Sequence, residues 1–232
     1  MNPIRHALYL HGFASSPAST KARWFAQALA SAGVGFGCPD FNAPDFESLT
    51  VTRMLDQTRA ALRTVPAGPI ALIGSSLGAF VAVLAAAERP AGVDRVVLFA
   101  PALEFGGNRL RELGGHGIAE WRARGRLTVF HYGDGRPRDV GYTLYEDAAS
   151  YDGLTVPVTL PTLVFQGRRD VSVDSDMVTR WAAGRPEVAL RLLDDDHQLT
   201  ASVETMWAEM RRFLGLPPTG GEPTGRPPQA VG

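Results

Sequence analysis

Three residue types that could share one reaction lie far apart in the chain: a serine at 76, an aspartate at 170 and a histidine at 197. The stretch IALIGSSLGAFVAVLAAA, residues 70–87, contains Gly74-Ser75-Ser76-Leu77-Gly78, a GxSxG pentapeptide between an apolar run and an Ala-rich, helix-forming one. In that setting a strand reverses sharply into a helix and leaves the central serine exposed above a sheet. Gly74 and Gly78 fit because the reversal leaves no room for side chains, and Ser76 would hold strained backbone angles. The amino terminus of the following helix would favour negative charge developing beside Ser76. The plainer alternative is a small-residue turn with a helix cap, but the flanking strand and helix favour a nucleophile.

A serine hydroxyl is a weak nucleophile near neutrality, so it needs a general base, and the base needs a group to orient it. Of the five histidines, His6 precedes a strand, His11 sits in the stretch YLHGFASSP, and His116 and His131 lie in an irregular central region. His197 alone follows the last strand and precedes the last helix, which makes it the expected base. The plainer reading of it is a solvated histidine in an acidic loop. The stretch TLVFQGRRDVSVD supplies the acid: an apolar strand, a turn at Gly167, then Asp170. Asp174 would serve only with a longer loop and reads better as part of a helix cap. Asp194, Asp195 and Asp196 are too close in sequence to His197 for comfortable geometry and read as a solvated turn.

The elements that must position these residues alternate. Nearly continuous apolar runs at Ala7 to Leu10, Val34 to Cys38, Pro69 to Gly74, Val93 to Ala100, Thr162 to Gln166 and Val188 to Leu193 read as strands buried on both faces. Between and after them, helical spacing predicts helices over Thr20 to Ala32, Phe46 to Arg63 and Leu77 to Glu88, one that follows Val173 and runs to Ala183, and one from about Ala201 to Leu214. Such alternation implies a parallel sheet with helices on both faces and a site at the carboxyl ends of the strands. Residues 1–215 are expected to form one domain, with 101–153 an excursion over the sheet. Residues 216–232, rich in Pro, Gly and Thr, are expected to be disordered.

Composition narrows the function. With 45% hydrophobic and 20% charged residues and a net charge of -1, the chain has no basic excess that would suggest nucleic acid. One cysteine, Cys38, allows neither an intrachain disulfide nor a thiolate metal cluster. No basic segment followed by an apolar run precedes Ala7, and no apolar stretch approaches the roughly 20 residues that span a bilayer. The expectation is a cytoplasmic protein that acts on a small molecule, away from membranes and nucleic acid. Neither metal nor organic cofactor is expected, and the oligomeric state is not readable.

Through the strand ending in His11-Gly12, GSSLG at 74–78, and Asp170 and His197 in that order, the sequence resembles the α/β-hydrolase superfamily. The stretches LYLHGFASSPASTKA and IGSSLGAF are similar to those of the small YqiA/YcfP-type esterases. The resemblance implies an α/β-hydrolase fold, a mainly parallel sheet of about six strands with helices on both faces and a small cap-like insertion. It also implies an oxyanion hole from the backbone N–H groups of Phe13 and Leu77. Gly12 would let the backbone approach closely, and His11 would support that loop rather than act as a base.

The implied activity is cleavage of carboxylic esters, of small or acyl-chain substrates, through an acyl-enzyme on Ser76. A thioesterase of the same fold and a catalytically silent binding protein are the alternatives. Specificity would come from the excursion, where Trp121, Phe130, Tyr132, Tyr142 and Tyr145 offer pocket walls or pack beneath a lid. Arg136 and Arg138 read either as a solvated charged loop or as an attraction for an anionic leaving group, such as the phosphates of an acyl-CoA. Within the excursion, Ala102 to Tyr151 departs from the smallest members, so substrate does not carry over from them.

Overall fold

The computed structural model describes residues 2–105 and 114–217. Most of the expected disordered tail, residues 218–232, and part of the excursion, residues 106–113, lie outside the described residues.

The strands are β1 (His6–Leu10), β2 (Gly35–Gly37), β3 (Ile70–Ser75), β4 (Val93–Phe99), β5 (Arg126–His131), β6 (Arg136–Gly141), β7 (Thr162–Gly167) and β8 (Val188–Leu193). The helices are α1 (Thr20–Ser31), α2 (Val51–Thr64), α3 (Leu77–Ala87), α4 (Gly114–Arg124), α5 (Thr143–Ala148), α6 (Ser175–Ala183) and α7 (Val203–Phe213). Six strands form one sheet in the order β2-β1-β3-β4-β7-β8, with every neighbouring pair parallel. The order runs outward from β1 to β2 and then returns to the other side of β1 with β3. That reversal opens a crevice at the carboxyl ends of β1 and β3, where parallel sheets place their ligands.

Alternation of side chains along each strand divides the core in two. Ala7, Tyr9, Ala71, Ile73, Val97, Phe99, Leu163 and Phe165 face one side, where α1 and α7 cover them with Phe25, Leu29, Met206 and Trp207. Leu8, Leu10, Leu72, Val96, Leu98 and Val164 face the other, beneath α2, α3 and α6. α3 is buried nearly all round, as its run of Ala, Val and Phe requires. The second core continues into the excursion through Trp121, Val140, Leu144 and Ala148.

α2 begins at Val51 rather than at Phe46. Thr50 caps it by accepting from the Arg53 N–H at 3.1 Å, whereas Asp45 accepts from the Ser48 N–H at 2.7 Å and shapes a separate turn over 45–48. Phe46 leaves the helical register to pack beside Phe13. The excursion contains a second, two-stranded antiparallel sheet, β5-β6, flanked by α4 and α5.

Candidate active site

Among the described residues, four of the five non-glycine residues with positive φ follow strand ends of the large sheet: Ala14 after β1, Ser76 after β3, Ala100 after β4 and Leu199 after β8. Ser76, at φ 54° and ψ -117°, joins β3 to α3 directly. Its N–H donates to Phe99 O at 2.9 Å, and its carbonyl accepts the N–H groups of Ala79 and Phe80. The reversal packs backbone on backbone. A Cβ at Gly78 would collide with the Leu10 carbonyl and lie 2.6 Å from His11 O; one at Gly74 would lie 2.5 Å from Ala79 Cα. Only hydrogen fits at either position.

At the same end of the sheet, toward its β8 edge, the loops after β7 and β8 supply an acid and an imidazole. Gly167 turns the chain so closely against the next loop that a Cβ there would lie 2.5 Å from Asp195 O. Asp170 Oδ1 accepts the N–H groups of Ser172 and Val173, both at 2.8 Å, and Oδ2 accepts from Gln166 Nε2 at 3.0 Å. The remaining partner is His197, whose Nδ1 lies 2.8 Å from Oδ2. Because the carboxylate accepts, Nδ1 carries the proton, and Nε2 presents a lone pair 3.1 Å from Ser76 Oγ. Burial pushes the Asp170 carboxyl up, but the hydrogen bond and charge of His197, with the Val173 N–H and the Gln166 amide, more than offset it and hold it below its ordinary value.

The third wall is the loop after β1. His11 is buried, and both its ring nitrogens are engaged: Nε2 accepts the Phe41 N–H at 3.0 Å, so Nδ1–H donates to Gly12 O at 2.9 Å. Gly12 O and Phe13 N–H belong to one peptide plane and point opposite ways, so this bond also fixes the direction of the Phe13 N–H. Gly12 backs onto Ser76, and a Cβ on it would lie 3.3 Å from Ser76 Cβ. Neither the Phe13 nor the Leu77 N–H donates to an acceptor among the described residues. Leu77 is the first residue of α3, where helix N–H groups are free to meet an anion.

The structure therefore gathers Ser76, Asp170, His197, His11, Gly12, Phe13 and Leu77 at one end of the sheet. It distributes the aromatic residues differently. Trp121, Tyr142 and Tyr145 pack on one another with ring centroids 5.4 to 6.2 Å apart, and Trp121 Nε1 donates to Val140 O. Phe130 and Tyr132 meet edge-on at the hairpin, 51% and 76% exposed. Arg136 is exposed, and Arg138 pairs with Asp134.

Asp195 departs from the solvated turn expected of residues 194–196. It is buried, with Oδ1 accepting the Asp196 N–H and Oδ2 the Ser202 N–H at 2.9 Å, so it joins the His197 loop to the start of α7. Asp194 is exposed and pairs with Arg169. Asp174 caps α6, accepting from the Asp176 N–H.

Lys21 contributes a positive charge behind this loop. Its Nζ lies 5.7 Å from the Phe99 ring centroid, and burial pulls the ammonium down to about 8 against the attraction of Asp195, Asp170 and Asp196. A lysine on the first turn of a helix gives no sign in sequence that it will meet aspartates more than a hundred residues away. Cys38 is no rival nucleophile, since burial, then Asp40, pushes its thiol up to about 12.

Residues 6–214 match the model of a family described as an uncharacterised protein family, UPF0227. The chain belongs to this family. No curated protein matches it. Among solved structures, this UPF0227 chain is similar to alpha/beta hydrolase domain-containing protein 10 from mouse, at 22% identity, covering 93% of this chain and 92% of that one with a TM-score of 0.76. A protein of Agrobacterium vitis S4 is 25% identical over 91% of this chain and 88% of its own, with a TM-score of 0.80. A monoacylglycerol lipase of Paleococcus ferrophilus is 14% identical over 90% and 93%, with a TM-score of 0.71. With these neighbours and its parallel six-stranded sheet, the UPF0227 chain has the α/β-hydrolase fold.

No group of three or more His, Cys, Asp or Glu side chains among the described residues could hold a metal ion. No helix among them is long and apolar enough to cross a membrane.

Proposed function

We propose that this chain is a serine hydrolase that cleaves carboxylic esters of small or acyl-chain substrates. The observation that carries the reading is the unbroken relay from Ser76 Oγ to His197 Nε2 at 3.1 Å and from His197 Nδ1 to Asp170 Oδ2 at 2.8 Å. Its presence on a fold shared with a monoacylglycerol lipase supports the same reading.

In this reading His197 Nε2 takes the Ser76 proton as Oγ attacks the ester carbonyl, and Asp170 holds the imidazole in the accepting tautomer and stabilises its cation. The oxyanion forms between the N–H groups of Phe13 and Leu77, and losing one such donor costs about 3 kcal/mol of transition-state stabilisation. His197 returns the proton to the departing alcohol, and the acyl group remains on Ser76. Water enters, His197 takes its proton, and the tetrahedral intermediate collapses to the acid and free serine. Each proton taken by His197 is given back within the cycle, so the residues described complete the reaction. Placement in the cytoplasm and organisation of 1–215 as one domain with a cap-like insertion belong to the same proposal.

A panel of p-nitrophenyl esters and acyl-CoA thioesters, run with wild type and Ser76→Ala, tests it. Hydrolysis of oxygen esters that disappears in Ser76→Ala while the circular-dichroism melt stays near wild type is the expected result. Activity retained in that variant refutes the serine assignment, and turnover of thioesters alone replaces the ester reading with a thioesterase.

A further inference from the structure

Phe13 can serve an oxyanion only if its N–H is held still, and most of what holds the loop after it comes from outside that loop. The two residues following Phe13 each lend their carbonyl to a different segment. Ala14 O accepts the Gly133 N–H at 3.2 Å, and Ser15 O accepts from Asn42 Nδ2 at 2.9 Å. Gly133 belongs to the turn between β5 and β6, within the excursion, and backs directly onto Ser16: a Cβ on it would lie 2.9 Å from Ser16 Cβ.

The same turn also grips Asn42. Asp134 N–H is shared between His131 O and His131 Nδ1, both 3.1 Å away; Nδ1 accepts, and His131 Nε2 carries the ring proton. That proton is donated to Asn42 Oδ1 at 3.0 Å, which leaves Asn42 Nδ2 for Ser15 O. Ser15 O can only accept, so the Asn42 amide must turn Nδ2 toward it and Oδ1 toward His131, which fixes the direction of both bonds. His131 is wholly buried, and burial holds its imidazole below its ordinary value, in the neutral form with one donor and one acceptor that the relay needs. Its ring meets Phe46 edge-on at 4.7 Å, and Phe46 in turn packs 5.4 Å from the Phe13 ring.

Asn42 is itself anchored. Arg53 Nη2 of α2 donates to Phe41 O and Asp45 O at 3.0 and 2.9 Å, and Gln57 Nε2 donates to Asp40 O and Ala43 O. The loop after β1 is thus clamped between a loop tied to α2 and the hairpin of the excursion. Ala14 sits inside that clamp at φ 52°, a conformation an alanine keeps only when its surroundings impose it.

We infer that Asn42 and His131 are positioning residues for the Phe13 N–H, so that the β5-β6 hairpin sets the oxyanion hole as well as covering the sheet. The inference rests on the serine-hydrolase reading above. Neither residue touches substrate; both act by fixing the carbonyls of the loop that carries the donor.

The test uses p-nitrophenyl butyrate, with butylboronic acid as a mimic of the tetrahedral intermediate, on wild type, Asn42→Ala, His131→Leu, His131→Gln and Ser76→Ala. A displacement of about 1 Å costs on the order of 100-fold, and a lost donor about as much. Asn42→Ala and His131→Leu should therefore lower kcat roughly 10- to 100-fold while KM changes by no more than about twofold. Affinity for the boronate should fall by the same factor as kcat. His131→Gln, whose amide can still donate to Asn42 Oδ1, should recover most of the loss. Should the buried His131→Leu change unfold the chain, half-buried Asn42→Ala and the Gln variant carry the comparison.

Asn42→Ala with kcat and boronate affinity near wild type overturns the inference, as does a rise in KM alone. Either result beside an inactive Ser76→Ala removes the relay and leaves the serine reading standing. Hydrolysis retained in Ser76→Ala removes both.

Discussion

Asp170→Asn changes one atom and should reverse a tautomer. Asp170 Oδ1 accepts two backbone N–H groups, from Ser172 and Val173, so an asparagine must keep its carbonyl oxygen there; the opposite rotamer would set its NH2 against both donors. The NH2 then occupies the place of Oδ2, 2.8 Å from His197 Nδ1. It donates to that nitrogen, and the ring proton moves to Nε2, facing Ser76 Oγ, where a lone pair is needed. The imidazole keeps its position and loses its function as a base. A tautomer inversion of this kind lowers kcat by about 10,000-fold, or about 5 kcal/mol at 1.36 kcal/mol per factor of ten.

The fold should survive the change. The new NH2 also faces Gln166 Nε2, so the variant loses one hydrogen bond to a charged group, about 1.5 to 3 kcal/mol. For a chain of this size that lowers Tm by roughly 3 to 12 °C. Saturation kinetics with p-nitrophenyl butyrate, beside a circular-dichroism melt, separate the two effects. A cooperative melt with kcat within about tenfold of wild type would refute the claim that Asp170 acts by fixing the His197 tautomer.

Gly78→Ala would drive a Cβ into the Leu10 carbonyl, and the backbone shift should cost about 1 to 3 kcal/mol, seen as a lower urea midpoint together with a loss of ester hydrolysis. Asp170 also sets an acid limit to stability. Its carboxyl titrates lower folded than unfolded, so its stabilisation is full above the ordinary carboxylate value and drains away as pH falls through the lowered one. Between about pH 7 and pH 3 the urea midpoint of wild type should fall more steeply than that of Asp170→Asn, and parallel curves would contradict the shift.

The sheet was legible because its strands are short, nearly continuous apolar runs, a pattern that parallel strands covered on both faces impose. Ser76 was legible for a related reason: a strand, a GxSxG and an Ala-rich run follow one another with no loop between. Asp170 and His197 could be found because each lies just beyond a strand end. Asp195 was misread because an aspartate in a run of three gives no sign of which one will turn inward to bind Ser202. The start of α2 moved because the hydroxyl of Thr50 captures the Arg53 N–H and excludes Phe46 from the helix.

The excursion was the least legible part. β5 alternates between outward residues such as Thr128 and Phe130 and inward ones such as Val129 and His131, but only Asp134-Gly135 marked the turn of a hairpin. Nothing in sequence distinguished His131 from the other excursion histidine, because its role depends on Asn42, 89 residues away. Long-range polar pairs of this kind leave no periodicity to read.

A serine nucleophile requires that acyl groups pass through Ser76. Intact-mass spectrometry on enzyme quenched during turnover of a p-nitrophenyl ester, followed by peptide mapping, addresses it directly. One acyl adduct is expected on the peptide bearing Ser76, accumulating in His197→Ala if deacylation slows more than acylation and absent in Ser76→Ala. Steady hydrolysis with no adduct at Ser76, under conditions that trap a fluorophosphonate on another residue, would contradict it.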